Sequence, residues 1–221
     1  MNIHRACELG DLERVKYLVE GQGVSVNGLV SRYKYTPLMC ATTHYGNLHI
    51  VRYLLDKGAS VNAVDKDGWS ALHHSCYTEE GDKGDIFKLL VERGANVYAI
   101  TSAGSTMLHV AARGGYVSIV QYLLEHTTLD VNIIRYGDIT ALSESDNIHI
   151  VELLLRHGAN PTRGRPRSQH NPLVLHAQKT YRIRVCVLIF MSAKRIPRLG
   201  AQSTIRLLPT DLIRKLLTFF V

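Results

Sequence analysis

The chain has 221 residues, 46% of them hydrophobic, with a formal net charge of +7 and four cysteines. That composition is ordinary for a globular protein and leaves room for one repeat domain and a small second module. The most apolar run, Val185-Cys186-Val187-Leu188-Ile189-Phe190-Met191, is far too short for a membrane span, the start Met1-Asn2-Ile3-His4 has no signal-peptide pattern, and the scattered cysteines lack paired spacing, so a reduced intracellular compartment, cytoplasmic or nuclear, is expected.

From the N-terminus the chain repeats itself. A short first unit reads Ile3-His4-Arg5-Ala6, then Asp11-Leu12-Glu13-Arg14-Val15-Lys16-Tyr17-Leu18. The second reads Thr36-Pro37-Leu38, then Ile50-Val51-Arg52-Tyr53-Leu54-Leu55. The third carries Ser70-Ala71-Leu72-His73, then Ile86-Phe87-Lys88-Leu89-Leu90. The fourth carries Thr106-Met107-Leu108-His109, then Ile119-Val120-Gln121-Tyr122-Leu123-Leu124. The fifth carries Thr140-Ala141-Leu142, then Ile150-Val151-Glu152-Leu153-Leu154-Leu155. Each unit closes on a similar word, such as Gly58-Ala59-Ser60-Val61-Asn62 or Gly94-Ala95-Asn96-Val97. The closing asparagines fall at 27, 62, 96 (one residue out of frame), 132 and 160, with gaps of 35, 34, 36 and 28. A period of roughly 33 means stacked helix pairs, each too small to bury its apolar face alone.

The residue types suit their places. Thr36, Thr106 and Thr140 can cap a helix start, and Pro37 fits a first helical position. Gly58, Gly94 and Gly158 suit left-handed helix ends. Ile-Val and Leu-Leu in each second helix form one apolar stripe. These words resemble ankyrin repeats over residues 1–161. The resemblance implies an all-α solenoid of about five helix-turn-helix units with projecting hairpin-like turns, a protein-binding surface and no catalytic site.

Three departures stand out. Extra residues from Tyr77 to Gly84 read as an exposed loop in the third unit. The turn from Leu29 to Tyr35 is one residue long of the pattern, and the fifth unit is short by about a helical turn.

Composition changes at Pro161. Residues 1–160 hold 14 Lys+Arg against 18 Asp+Glu, a balance of −4; residues 161–221 hold 12 against one, a balance of +11. Residues 162–180 read as a basic linker. Tyr181 to Ala193 reads as an apolar helix or a buried strand, which periodicity does not separate. In the last segment Leu208, Leu212, Ile213, Leu216, Leu217 and Phe220 line one helical face, with Pro209 and Asp211 placed for its first turn. The word Leu208-Pro209-x-Asp211-Leu212-Ile213-x-x-Leu216-Leu217-x-Phe219 is similar to the first of the three helices of an F-box. It also resembles C-terminal segments that follow ankyrin repeats in poxviruses and algal viruses, so residues 181–221 are expected to form an F-box-like helical module. That likeness implies docking to the Skp adaptor of a cullin ubiquitin ligase, in a host cell if the source is viral. Leu208, Pro209, Leu212, Ile213, Leu216, Leu217 and Phe220 would carry it.

Other chemistries leave weaker traces. His73-His74-x-Cys76 falls short of the closed ligand shell that zinc needs, and His73 fits the repeat pattern, so no metal is expected. No phosphate loop, nucleophile elbow or paired catalytic acids occur, so neither enzyme nor cofactor is expected. The tail's charge, Arg163, Arg165 and Arg167 included, permits salt-sensitive nucleic-acid binding, but no recognition motif accompanies it. An ankyrin scaffold or inhibitor without a ligase link is the other reading. By the ankyrin resemblance, a target protein would meet the turn tips and the residues after the first helices: Arg32, Tyr33, Lys66, Asp67, Trp69, Tyr77, Ser102, Ser105, Arg113, Arg135 and Tyr136. Tyr, Trp and Arg are common interface anchors.

Overall fold

The structure is a computed structural model that describes residues 2–30, 32–43, 48–76, 84–161, 163 and 164, all inside one unit spanning Met1–Gln169. Residues 77–83, where sequence leads one to expect an exposed loop and which include Tyr77, and all residues from 165 on, including Leu208 to Phe220, lie outside the described residues.

Among the described residues ten helices come in pairs. The first of each pair is α1 (Ile3–Glu8), α3 (Pro37–Thr43), α5 (Ala71–His74), α7 (Met107–Gly114) and α9 (Ala141–Glu144). The second is α2 (Leu12–Lys16, prolonged by a wider π turn over Tyr17–Gly21), α4 (Leu48–Asp56), α6 (Gly84–Glu92), α8 (Val117–His126) and α10 (Ile148–Arg156). First helices pack on first helices, α1 on α3, α3 on α5 and α7 on α9; second helices pack as α2 on α4, α4 on α6, α6 on α8 and α8 on α10. The first row is buried almost all round, as Pro37 to Thr42 and Met107 to Ala112 show. The second row buries one stripe: Ile50, Val51 and Leu54; Ile86, Phe87, Leu89 and Leu90; Ile119, Val120 and Leu123; Ile150, Val151 and Leu154. Each fully buried Leu or Ile contributes about 1.5–3 kcal/mol, so the stripes hold the rows together. Gly84 opens α6 rather than closing the loop before it.

One device starts four of the first helices. The residue three places after the cap hands an acceptor back to the cap's backbone N–H. His73 Nδ1 accepts from Ser70 at 3.2 Å, His109 Nδ1 from Thr106 at 3.4 Å, Ser143 Oγ from Thr140 at 2.9 Å, and Met39 Sδ from Thr36 at 3.5 Å. Three kinds of side chain, imidazole, hydroxyl and thioether, serve one role.

Between the helix pairs run hairpins, closed by N–H to carbonyl bonds from Val30 to Tyr35, Asp65 to Trp69, Thr101 to Ser105 and Arg135 to Ile139. The first spans one residue more than the others, which is the extra residue read between Leu29 and Tyr35. The residue before each closing position is left-handed: Lys34, Gly68, Gly104 and Asp138. At Gly68 (φ 77°) glycine is needed twice over, because a Cβ would also sit 2.9 Å from the Ser102 backbone nitrogen.

The asparagine frame needs correction. Asn27 donates to the Gly58 carbonyl at 3.1 Å and accepts from Ser60 N–H at 2.8 Å. Asn62 does the same to Gly94 and Asn96, and Asn132 to Gly158 and Asn160. Asn96 and Asn160 therefore receive the bridge, as Ser60 does, and are two residues out of frame. The true third position is Tyr98, whose hydroxyl accepts from Thr128 N–H at 3.5 Å and lies 3.4 Å from its Oγ1. A phenol reaches where an amide stood because Thr128 replaces the glycine of the other units. Asn62→Ala loses both bridging bonds and is expected to cost about 1–2 kcal/mol in urea unfolding, whereas Tyr98→Phe costs under about 1 kcal/mol.

Candidate functional site

The hairpins are joined edge to edge. Lys66 N–H donates to the Tyr33 carbonyl at 3.1 Å, Ser102 N–H to Asp67 at 2.9 Å, and Tyr136 N–H to Ala103 at 3.1 Å. Residues from four hairpins therefore share one continuous hydrogen-bonded rim.

On this rim the expected contact residues separate into groups. Tyr33 is stacked on Tyr35 (ring centroids 5.9 Å apart), with the Arg32 guanidinium 5.0 Å and the Lys66 ammonium 4.2 Å from its ring centre. Lys66 Nζ also stands 3.9 Å from Asp67 Oδ2. Trp69 is half-buried, 5.6 Å from the His74 ring and 5.9 Å from His73. Ser102 and Arg113 are exposed, and Tyr136 is 74% exposed. Two residues sit differently. Ser105 is buried, held by its N–H bond to Thr101 Oγ1 at 3.1 Å. Arg135 turns inward: its Nε donates to Glu144 Oε1 at 3.1 Å, Nη2 bonds the same oxygen, and Glu144 is 2% exposed. The structure thus places eight of these eleven residues on or beside the rim, buries Ser105, sets Arg135 into an internal ion pair beneath it, and leaves Tyr77 undescribed.

A recess of about 550 Å³ opens between the rim and the first helices, lined by Tyr35, Asp65, Asp67, Trp69, His74, Ser102, Ala103 and Arg113. Its floor is a buried pair. Asp65 Oδ2 meets His74 Nε2 at 2.9 Å, while Asp65 Oδ1 accepts from Asp67 N–H at 2.8 Å and Trp69 N–H at 2.9 Å. Burial lowers the His74 pKa and outweighs the opposing pull of Asp65, which favours the neutral ring. Burial, then the Asp65 and Asp67 charges, push the Tyr35 phenol up. One ring nitrogen of each histidine has a side-chain partner: His73 Nδ1 lies 2.9 Å from Ser70 Oγ and His74 Nε2 2.9 Å from Asp65 Oδ2.

Sequence reasoning missed Tyr35, Asp65 and His74 in this recess. It also missed a row of exposed aliphatic residues, Leu29, Val64, Ile100 and Ile134. Each stands two residues after a frame position, 27, 62, 98 or 132. The signal was legible but lay behind the displaced frame at Asn96.

A stack of helix pairs with a hydrogen-bonded rim of hairpins defines a protein-interaction scaffold. The family model described as ankyrin repeats matches three times, over residues 3–101, 61–135 and 77–165, and the chain belongs to that family. Ankyrin repeats bind protein partners. The chain is 29% identical over 164 residues to the ankyrin repeat protein YahD of Escherichia coli, covering 71% of this chain and 79% of that one. It is 35% identical over 151 residues to the human ankyrin repeat and SOCS box protein 3, covering 52% of this chain and 29% of that one. An ankyrin repeat protein of Acanthamoeba polyphaga mimivirus is 31% identical over 144 residues, covering 63% of this chain and 18% of the viral protein. The chain thus spans most of the bacterial relative but under a third of the human and viral ones. Among the described residues no helix is long and apolar enough to cross a membrane.

Proposed function

We propose that this chain is an adaptor whose hairpin rim captures a target protein and whose C-terminal segment docks that target to a cullin-type ubiquitin ligase. What supports capture is the rim itself: hairpins locked edge to edge, carrying Tyr33, Trp69 and Tyr136 beside the aliphatic row Leu29, Val64, Ile100 and Ile134. Half-buried and exposed aromatic groups beside exposed aliphatic ones on a rigid frame lose little entropy when a partner covers them. Docking through the Skp adaptor rests on the Leu208-Pro209-x-Asp211-Leu212-Ile213 word, and a relative that joins ankyrin repeats with a SOCS box in one protein is consistent with it.

Two double variants separate the halves. Tyr136→Ala with Ile100→Asp changes only exposed side chains, so the fold is retained; target capture should fall at least about tenfold while recovery of purified Skp adaptor is unchanged. Leu208→Ala with Leu212→Ala should do the reverse. Skp recovery that ignores the second variant removes the ligase link and leaves an ankyrin scaffold that masks its partner without altering its lifetime.

A further inference from the structure

We infer that the recess beside Trp69 is a cation site, built to take the guanidinium of an arginine on the captured protein; this rests on the rim being the target-binding face. Three features point to a cation. Tyr35 and Trp69 both line the recess and pack against His74, with ring centroids 5.4 and 5.6 Å from it. Two carboxylates, Asp65 and Asp67, stand along the same wall, and both act on the Tyr35 phenol. Asp65 is fully engaged by His74 and two backbone N–H groups, so it serves as fixed background charge. The side chain of Asp67 is 64% exposed, and its contact with Lys66 is long, 3.9 Å, because that ammonium sits over Tyr33. Its oxygens therefore remain able to accept from a ligand.

A guanidinium fits this arrangement better than an ammonium. It is flat, weakly hydrated, stacks on an indole and can bond a carboxylate through two N–H groups at once. A volume of about 550 Å³ accommodates a whole side chain. Arg113, on the α7 wall, also lines the recess and carries the opposite sign to Asp65 and Asp67.

The single tryptophan of the chain is Trp69, so its fluorescence reports on this recess alone. The full chain is titrated with N-acetyl-Gly-Arg-Gly-amide, its citrulline counterpart and its glutamate counterpart. The arginine peptide should give a saturable change, with the neutral citrulline peptide at least about tenfold weaker. Asp67→Asn, which removes no bond within the fold beyond the long Lys66 contact, should weaken arginine binding about fivefold. Equal binding of arginine and citrulline, binding of the glutamate peptide alone, silence with all three, or indifference to Asp67→Asn would each overturn the assignment. If it fails while target capture still depends on Tyr136 and Ile100, the adaptor reading stands without it. If capture ignores those residues as well, both fall.

Discussion

Arg135→Thr is expected to destabilise the repeat stack by about 3 kcal/mol, the range for removing one partner of a buried ion pair. Glu144 is 2% exposed and its carboxylate is bonded to the Arg135 guanidinium, so the substitution strands a charge away from water. The reverse change is milder. Arg135 is half-buried, and with Glu144→Val its long side chain can swing out to solvent, for a loss of about 1 kcal/mol. The same position elsewhere in the stack shows what the double variant should do. Position 135 opens the fourth described hairpin as Asp65 and Thr101 open the second and third, and Glu144 stands where His74 and Val110 stand. Asp65 with His74 exchanges donor and acceptor at the same separation of nine residues, with an imidazole in place of the guanidinium. Thr101 with Val110 is the neutral version, in which Thr101 Oγ1 takes the hairpin N–H of Ser105. Arg135→Thr with Glu144→Val copies that solution and should return to within about 1 kcal/mol of the wild type. Urea unfolding of the four proteins checks it; a double variant as weak as Arg135→Thr alone would mean that packing, not the stranded carboxylate, sets the cost.

These pairs mark the border of what sequence can convey here. The units, the Thr caps, Pro37 at the start of α3, the left-handed glycines 58, 94 and 158 and the long first hairpin were all legible, because each depends on neighbours within a few residues. The apolar stripes of α4, α8 and α10 were legible for the same reason: helical spacing alone sets the buried face. Arg135 was not. An arginine beside a turn reads as a surface anchor, and its turn inward depends on Glu144 being buried by α7 packing on α9. Tyr98 was missed for a chemical reason, since it keeps the bridging role of an asparagine while changing residue type, and the nearby Asn96 drew the frame away. The recess was half legible. Trp69 and Asp67 could be placed on a tip, but Asp65, His74 and Tyr35 join them only when two hairpins and α5 come together.

Acid should loosen the same core through its histidines, and the repeat supplies the control. His73, His74 and His109 are buried, and burial is the largest cause lowering each pKa; for His73 the value falls to about 4. His73 Nδ1 is occupied by the Ser70 N–H and hydroxyl, and Nε2 forms no hydrogen bond of proper geometry, although the Ala99 carbonyl favours its charged form. A folded pKa below the unfolded one means that the unfolded chain binds the proton more tightly. Stability is then full above about pH 6.5, falls as the pH drops below that, and levels off beneath the folded pKa. For His73 alone the loss is about 2 kcal/mol at pH 5, with His74 and His109 adding in the same direction. Unit two shows how to remove it: Met39 occupies the equivalent place, and its sulfur accepts from Thr36 N–H at 3.5 Å. His73→Met should therefore keep the cap and the volume, staying within about 1 kcal/mol of the wild type at pH 7.5. At pH 5 it should be the more stable protein by about 2 kcal/mol, because the group that took up the proton on unfolding is gone. Urea midpoints at the two pH values decide the matter: curves that shift in parallel would show that the acid sensitivity comes from groups other than His73.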